Sequence, residues 1–266
     1  MTNSIRAALL ATVAFSACAI ALSPGANAAT LHALGLDNKI ARIDTDSRKV
    51  TGTWAVSGTD GKLVGVAVRP ADGKLYGLTD TGQIVTIDTT SGQATQVSRL
   101  GEKIDTGART AIRFNPVVDR LRVVGVNGNN YRIHVDTGAV TTDKPLRYAD
   151  GSAQAGQTPM VTAAAYTNAM AGAKETALYT LDPRLGQVNL QAPPNDGVQQ
   201  PKANAGMALP YGVGFDFLSD GNGGNWGFVV AAGKLHSYSA ADAKFSTIGP
   251  IAGLTWNEIL GIAATK

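Results

Sequence analysis

Cysteine is almost absent from this chain: the single one is Cys18, close to the amino terminus. We expect residues 1–28 to be a secretory signal, because Arg6 precedes an apolar run from Ala7 to Leu22 and the small-residue triplet Ala26-Asn27-Ala28. Cleavage there leaves a cysteine-free chain, which excludes disulfides, thiol catalysis and cysteine-ligated metals. The predicted location is exported, either periplasmic or extracellular.

A long hydrophobic run is also lacking. The apolar run covers roughly sixteen residues, against the roughly twenty that a membrane-spanning helix needs, and Pro24-Gly25 ends it. We therefore predict no membrane insertion after signal cleavage. Phe15-Ser16-Ala17-Cys18 loosely resembles a lipoprotein cleavage box, so lipidation of Cys18 stays as a minor alternative.

Charge of one sign is not in large excess. Lys and Arg total 23 against 20 for Asp and Glu, and the residues are dispersed along the sequence. A nucleic-acid-binding protein would show a basic patch, so nucleic-acid binding is not predicted. The predicted partner is a small molecule or a glycan. Nothing in the composition requires an oligomer, and a monomer is expected.

Helical periodicity is missing, whereas glycine is abundant at 31 residues, which favours short strands and tight turns. Residues 63–97 and 110–143 repeat one pattern: a strand, a turn with Pro and Asp, a second strand, a Gly turn, a third strand ending in Asp-Thr, and a fourth strand. The pattern recurs at 161–200 and 212–249. Each repeat predicts one four-stranded antiparallel unit.

The two ends of the chain supply the fifth unit. Residues 30–56 provide three strands, and the missing first strand is found at 257–266. Radial repetition of such units is typical of a β-propeller. The sequence therefore predicts an all-β, five-bladed β-propeller over residues 29–266, closed by the C-terminal strand within the N-terminal blade. A split sandwich of two sheets is the alternative.

The hairpin at residues 114–138 carries an unusual number of polar side chains. Both faces of a blade pack against neighbours, so these charges need partners. Asp119 and Asp136 are the nearest carboxylates, with Asp150 or Glu175 as alternatives. We interpret the group as a structural polar network that docks the third blade, consisting of Arg120, Arg122, Arg132, His134, Asp119 and Asp136.

A ligand site is predicted at one mouth of the central channel, the default position in a ring. Aligned innermost strands place Arg113 and Asp216 at one level and suggest that they pair. Asn115, Asn168 and Glu258 stand at strand ends and complete the predicted site. The segment 143–160, longer than usual for a loop, is the best candidate for a lid or recognition loop.

Nucleophile elbows, phosphate-binding loops, dinucleotide fingerprints and zinc helices are absent from the sequence. We therefore name no catalytic residue and no metal ligand, and His32, His134 and His236 fall in separate blades. Residues 219–225 carry oxygen donors in the manner of a calcium loop but lack the Glu of an EF-hand. No cofactor is expected, with Ca²⁺ as a weakly supported alternative.

Several motifs together resemble a bacterial secreted family known as domain of unknown function number 4394. They are Phe114-Asn115-Pro116, Asp119 to Val124, Asn130, Arg132, Asp136-Thr137-Gly138, Ala165 to Asn168, Leu178-Tyr179 and Pro193 to Gly197. The resemblance covers essentially residues 29–266 and implies an exported β-propeller-like domain without implying an activity. The chain departs from the family pattern at Arg113, where an acidic residue is usual.

Three functions remain open from the sequence. The leading one is a non-enzymatic exported module that binds a small molecule, a glycan or an envelope partner at one mouth of the ring. The second is a hydrolase, of glycosidase or lactonase type, that uses carboxylates near the mouth, with Asp216, Glu258 and Asp220 as the acids to examine. The third is a structural extracytoplasmic scaffold.

Overall fold

A computed structural model describes residues 29–266, so the predicted signal and Cys18 lie outside the described residues. Within this range 21 strands form five sheets, numbered here as blades in chain order. Blade one contains β1 (Thr30–Gly35), β2 (Lys39–Asp44), β3 (Lys49–Ala55) and, innermost, β21 (Ile259–Thr265). Blade two contains β4 (Leu63–Val68), β5 (Leu75–Thr79), β6 (Gln83–Ile87) and β7 (Ala94–Arg99).

Blade three contains β8 (Thr110–Asn115), β9 (Arg120–Gly125), β10 (Asn130–His134) and β11 (Ala139–Thr142). Blade four contains β13 (Ala163–Tyr166), β14 (Leu178–Asp182), β15 (Gln187–Gln191), β16 (Val198–Asn204) and β12 (Arg147–Tyr148). Blade five contains β17 (Gly214–Ser219), β18 (Asn225–Ala231), β19 (Lys234–Ser239) and β20 (Lys244–Pro250). A short 3₁₀ helix spans Pro194–Asp196.

The innermost strands contact one another in a closed circle, in the order β21, β4, β8, β13, β17 and back to β21. This confirms the five-bladed β-propeller and rules out a sandwich of two sheets. Ring closure is also confirmed, because β1 and β21 pair antiparallel in one sheet with Thr30 opposite Thr265 and Ala33 opposite Ile262. The two ends of the described chain therefore share a blade.

Apolar side chains pack between successive blades and hold them together. Between blades two and three, for example, the rings of Tyr76 and Phe114 meet edge to face with centroids 5.3 Å apart. Since each blade is covered on both faces, its inner strands bury consecutive residues, as in β5, where all five residues are buried. This explains why those strands read as continuous apolar runs rather than alternating ones.

Blade four differs from the expected four strands, because β12 adds a fifth strand parallel to β16. This strand lies within the segment 143–160 that the sequence predicted as a loop. The Tyr148 hydroxyl donates to Asp182 Oδ2 at 2.8 Å, and the Met160 amide donates to the same oxygen at 2.9 Å. The segment is thus fixed to blade four at both points: β12 lies beside the outer strand β16, and Met160 contacts β14 shortly before the innermost strand β13 begins.

All five innermost strands run in the same direction along the channel. Their early residues line one cavity of about 10 Å³, among them Gly65, Ala111, Ala163, Phe215 and Gly261. Their later residues line another of about 30 Å³, among them Val68, Phe114, Tyr166, Phe217 and Ala264. We call the end where these strands begin the entry face and the end where they finish the exit face.

No helix within residues 29–266 has the length and apolar character required to span a membrane.

Candidate functional site

Arg113 of β8 and Asp216 of β17 meet inside the channel, as the aligned strands suggested. Arg113 Nε lies 3.1 Å from Asp216 Oδ1, and both side chains are less than one tenth exposed. The other Asp216 oxygen accepts a hydrogen bond of 2.8 Å from the Ala264 amide of β21. An ion pair that is closed off from water in this way needs further hydrogen bonds to be stable.

The Arg113 guanidinium obtains those bonds from backbone carbonyl groups. It donates to Val66 O of β4 at 2.9 Å and to Ile112 O of its own strand at 2.8 Å. It also donates to Phe215 O of β17 and Ile262 O of β21. One side chain therefore ties four of the five innermost strands together.

Burial raises the pKa of the Asp216 carboxyl, and the Arg113 charge with the amides of Ala264 and Phe217 opposes that shift. Burial likewise lowers the pKa of Arg113, opposed by Asp216. Because arginine stays protonated in proteins, the pair is ionic. Arg113 lines both small cavities of the channel, and Asp216 lines the one of about 30 Å³, so the pair lies between them.

The other residues of the predicted mouth site are not brought together. Asn115 is the last residue of β8, and Asn168 follows β13, so both lie on the exit face. Glu258 directly precedes β21 and lies on the entry face. Asn115 Oδ1 accepts from the Val117 amide at 2.9 Å, and Asn168 exchanges hydrogen bonds with Asn225. The three residues therefore do not lie at one mouth, because the innermost strands run in the same direction, and their part in ligand binding stays a prediction.

The charged hairpin of blade three takes part in two polar joints, one on each side of the blade. Toward blade two, Arg69 binds both acids named from the sequence, with Nη2 2.6 Å from Asp119 Oδ2 and Nη1 2.9 Å from Asp136 Oδ1. Arg69 also donates to the Tyr76 hydroxyl at 3.1 Å. The Arg69 hydrogen bond lowers the pKa of Asp136. Sequence analysis did not identify Arg69.

Toward blade four, Arg122 and Arg132 share one carboxylate, Asp143. Arg122 Nη1 lies 2.5 Å and Arg132 Nε 2.8 Å from Asp143 Oδ2. Arg122 further donates to Asn130 Oδ1 at 2.7 Å and to Asn195 Oδ1 of blade four at 2.6 Å. Burial would raise the pKa of Asp143, but the hydrogen bonds from Arg132 and Arg122 bring it below its usual value.

The rest of the predicted network contributes less. Arg120 donates to the carbonyls of Val118 and Asp119 at 3.3 and 3.1 Å, and His134 Nδ1 stands 4.0 Å from Asp136 Oδ2. Asp150 pairs with Arg147 at 3.3 Å, and the backbone oxygen of Glu175 accepts from Asn168, so neither acid joins the arginines of blade three.

An open cleft lies on the entry face between blades two and three, with a volume of about 680 Å³. Residues 100–109, which connect β7 to β8, form one wall, and Leu63, Thr110 and Leu260 at the starts of innermost strands belong to the lining. Its volume falls within the range of about 300 to 1,000 Å³ that small-molecule pockets usually have. None of the predicted ligand residues lines this cleft, although Glu258 reaches it through Arg109.

The wall of the cleft is held in place by hydrogen bonds. The Asp105 carbonyl accepts from Asn129 Nδ2 at 2.9 Å and from the Tyr131 hydroxyl at 3.2 Å. At the channel end, Arg109 Nη2 lies 2.5 Å from Glu258 Oε2, and its guanidinium carbon stands 5.4 Å from the centre of the Tyr211 ring. The wall is therefore held at Asp105, in its middle, and at Arg109, where it meets β8.

The segment 219–225 is a compact turn on the exit face. Asp220 Oδ1 accepts from the amides of Asn222 and Gly224 at 2.7 and 2.9 Å, and Asn225 Oδ1 accepts from Ser219 Oγ at 2.6 Å. Over residues 29–266 no three His, Asp or Glu side chains stand close enough to form a metal-binding group. The alternative of Ca²⁺ binding stays a prediction.

Comparison with protein families gives one match, to a domain of unknown function (DUF4394), over residues 39–263. The chain belongs to this family. The match runs from β2 into β21, so it covers blades two to five and all of blade one except β1 and the last residues of β21. A search of curated protein sequences gave no match.

Solved structures with a similar fold include a protein of unknown function from Bacteroides thetaiotaomicron. It shares 20% identity over 88% of this chain and 63% of its own, with a TM-score of 0.54, so this chain spans less than two thirds of its length. Glutaminyl cyclase from Myxococcus xanthus shares 13% identity over 79% of this chain and 83% of its own, with a TM-score of 0.50. An auxiliary nutrient binding protein from Bacteroides ovatus shares 15% identity over 74% of this chain and 55% of its own, with a TM-score of 0.43. At these identities the likeness concerns the fold alone.

Proposed function

We propose that this protein is an exported, monomeric binding module that holds a small molecule in the cleft between blades two and three. The observation that carries the proposal is the cleft itself: about 680 Å³, open at the entry face, and walled by a connection that is held at Asp105 and at Arg109. A preformed site binds without the cost of ordering its own loops. This is the geometry expected of a receptor for a compact ligand.

The position in the ring supports the same function. Each connection between blades leads into an innermost strand, so these connections gather on the entry face, and they include the longer segments 100–109, 143–162, 205–213 and 251–258. Loops on one face of a rigid scaffold commonly carry recognition. Because the cleft opens at the entry face, the ligand enters and leaves through that face.

A hydrolase finds less support in the acids that the sequence singled out. Asp216 is paired with Arg113, Glu258 is paired with Arg109, and Asp220 caps its own turn on the other face. A glycosidase requires two carboxyl groups within roughly 5 to 10 Å of each other around one open site. The glutaminyl cyclase of similar fold is an enzyme by its name, but no pair of these three acids resembles such a site.

Filling the cleft tests the proposal. Ala108→Trp places a large side chain in its lining, and Ala171→Trp, in the connection after β13 on the exit face, is the matched control. Both variants and the parent protein are screened by thermal shift against a library of sugars, amino acids, amines and organic acids. We expect hits that the parent and Ala171→Trp share and that Ala108→Trp loses. Hits retained by Ala108→Trp would place the binding site elsewhere, and a complete absence of hits would favour the scaffold.

A further inference from the structure

The lining of the entry-face cleft has a distinctive composition. Among the described residues that line it none is aromatic, and the apolar part is entirely aliphatic, from Leu63, Val64, Leu78, Leu100, Ile104 and Leu260. A sugar-binding pocket usually offers an aromatic ring, because the apolar face of a pyranose stacks on it. The cleft instead offers a surface that an aliphatic chain covers well, since hydrophobic burial requires no particular geometry.

Two of the three basic residues in the lining are already neutralised. Arg99 bonds to Asp60 and to the Thr81 carbonyl, and Arg109 bonds to Glu258. Neither Asp60 nor Glu258 belongs to the lining, so each pair contributes no net charge to the cleft. Lys103 is the remaining cation, and within residues 29–266 it has no bonding partner.

The acidic residues of the lining form fewer hydrogen bonds and ion pairs than the two arginines. Asp80 Oδ1 accepts from the Lys62 amide and Asp105 Oδ1 from the Gly107 amide, both at 3.0 Å, which leaves the second oxygen of each carboxylate without a partner in the described part of the chain. Glu102 is exposed and likewise unpaired among those residues. Three carboxylates thus stand against one ammonium group, although the whole chain has a formal charge of +3.

We propose that the ligand of this cleft is an aliphatic amine: a molecule with an ammonium or guanidinium group on a flexible apolar body, such as an alkylamine or a basic dipeptide. The inference rests on the proposed function and names its ligand class. The amine binds the free oxygens of Asp80 and Asp105, and the carbon chain covers the aliphatic floor. A molecule of the same shape that carries a carboxylate in place of the cation, such as hexanoate, meets like charges and binds poorly.

Calorimetric titration at low ionic strength tests this with four probes: hexylamine, leucyl-lysine, hexanoate and maltotriose. We expect the two amines to bind and the other two to give no heat. Asp80→Asn and Asp105→Asn keep the oxygen that accepts the backbone amide and lose the charge, so each should weaken hexylamine by about threefold to tenfold. Lys103→Gln should strengthen it, and Asp242→Asn, in the turn after β19, is the matched control for a lost surface carboxylate.

The outcomes separate the two proposals. Binding of hexanoate or maltotriose that Ala108→Trp abolishes would overturn the amine and retain the binding site. Hexylamine binding that the two amide variants leave unchanged would also overturn it, since the carboxylates would then take no part. If no probe binds and the library hits survive Ala108→Trp, both proposals are wrong. The melting temperature of each variant is measured beside the titration, so that a folding defect is recognised as such.

Discussion

Arg113 Nε and Asp216 Oδ1 lie 3.1 Å apart at the centre of the ring, in strands that are separated by about a hundred residues of sequence. The guanidinium also donates hydrogen bonds to four backbone carbonyl groups, one in each of four innermost strands. In a propeller the innermost strands of different blades are not hydrogen-bonded to each other as neighbours in a sheet. This ion pair therefore supplies polar cross-links that the sheets themselves cannot provide.

We predict that removing one member of this pair destabilises the protein more than removing both. Arg113→Met leaves a buried carboxylate, and Asp216→Leu leaves a buried guanidinium, each costing about 3 to 5 kcal/mol of unfolding free energy. The double variant has no unpaired charge and should cost less than either single variant. Urea denaturation of all four proteins measures this. Additive costs would show that the two side chains act independently.

The joint between blades two and three gives a second prediction. Arg69 holds both Asp119 and Asp136, so Arg69→Met leaves two carboxylates close together, whereas Asp136→Asn leaves the Asp119 bond in place. We expect Arg69→Met to cost about 2 kcal/mol and Asp136→Asn at most about 1 kcal/mol, because both acids are substantially exposed. The difference should shrink in concentrated salt. Equal losses in urea titrations at both salt concentrations would contradict this account.

The two arginines of the joint toward blade four should differ in how much each contributes to folding stability. Arg122 is 2% exposed and also binds Asn195 of blade four, while the Arg132 side chain is 32% exposed and, among the described residues, binds only Asp143, at 2.8 Å. We expect Arg122→Met to cost about 3 kcal/mol and Arg132→Met about 1 kcal/mol. Chemical denaturation measures both. A larger loss for Arg132→Met would place the main contact of this joint elsewhere.

The architecture could be predicted because each blade repeats the same local pattern. Within the hairpin of blade three, Arg122 lies opposite Arg132. The partners could not be predicted in the same way, since Arg69 belongs to the previous blade and Asp143 to a connection. Sequence spacing carries no information on which residues of adjacent blades meet, because the blades pack through side chains rather than through a shared register.

The site shows the same limit. Glu258 stands before an innermost strand and Asn115 at the end of one, and the common direction of these strands could have separated them from the sequence alone. The cleft wall at 100–109 was overlooked because 143–160 is longer. The sequence does mark this wall, because residues 100–109 form a charged, glycine-containing stretch between two repeats. Its depth, however, depends on how blades two and three diverge, which no residue pattern specifies.

Low pH should lower the folding stability of the protein through His32, which lies in the blade that closes the ring. His32 of β1 is buried between Arg42 and Ala263 in the sheet, and burial, then the Arg42 charge, lowers its pKa to about 4. Between pH 6.5 and 4 the unfolded chain binds a proton that the folded chain does not, so stability falls as the pH falls through this window. The loss is at most about 3 kcal/mol.

Urea titrations from pH 7 to pH 4 check this effect. His32→Gln should flatten the slope, and Arg42→Gln should reduce it, because the second cause of the shift is removed. Some slope will remain from His236, whose pKa burial also lowers. An unchanged slope in His32→Gln would assign the acid sensitivity to other groups.

The shared blade predicts that the ring can be opened elsewhere. Thr30 and Thr265 are paired neighbours, so a short Gly-Ser linker can join residue 266 to residue 29. New ends between Gly172 and Ala173 fall in the exposed connection between β13 and β14, where a Cβ at Gly172 meets no atom within 4 Å. Blade four is then completed by both ends, as blade one is now, and every strand pair is retained.

We expect this permuted chain, built from residues 29–266, to unfold in a single transition with nearly the parent's midpoint. The comparison is a permuted chain cut within β14, between Thr180 and Leu181, which breaks a buried strand and should fail to fold. Circular dichroism during heating distinguishes them. Two separate transitions in the first permutant would mean that the blades do not fold as one unit, and that the pairing of β1 with β21 is not what makes the ring cooperative.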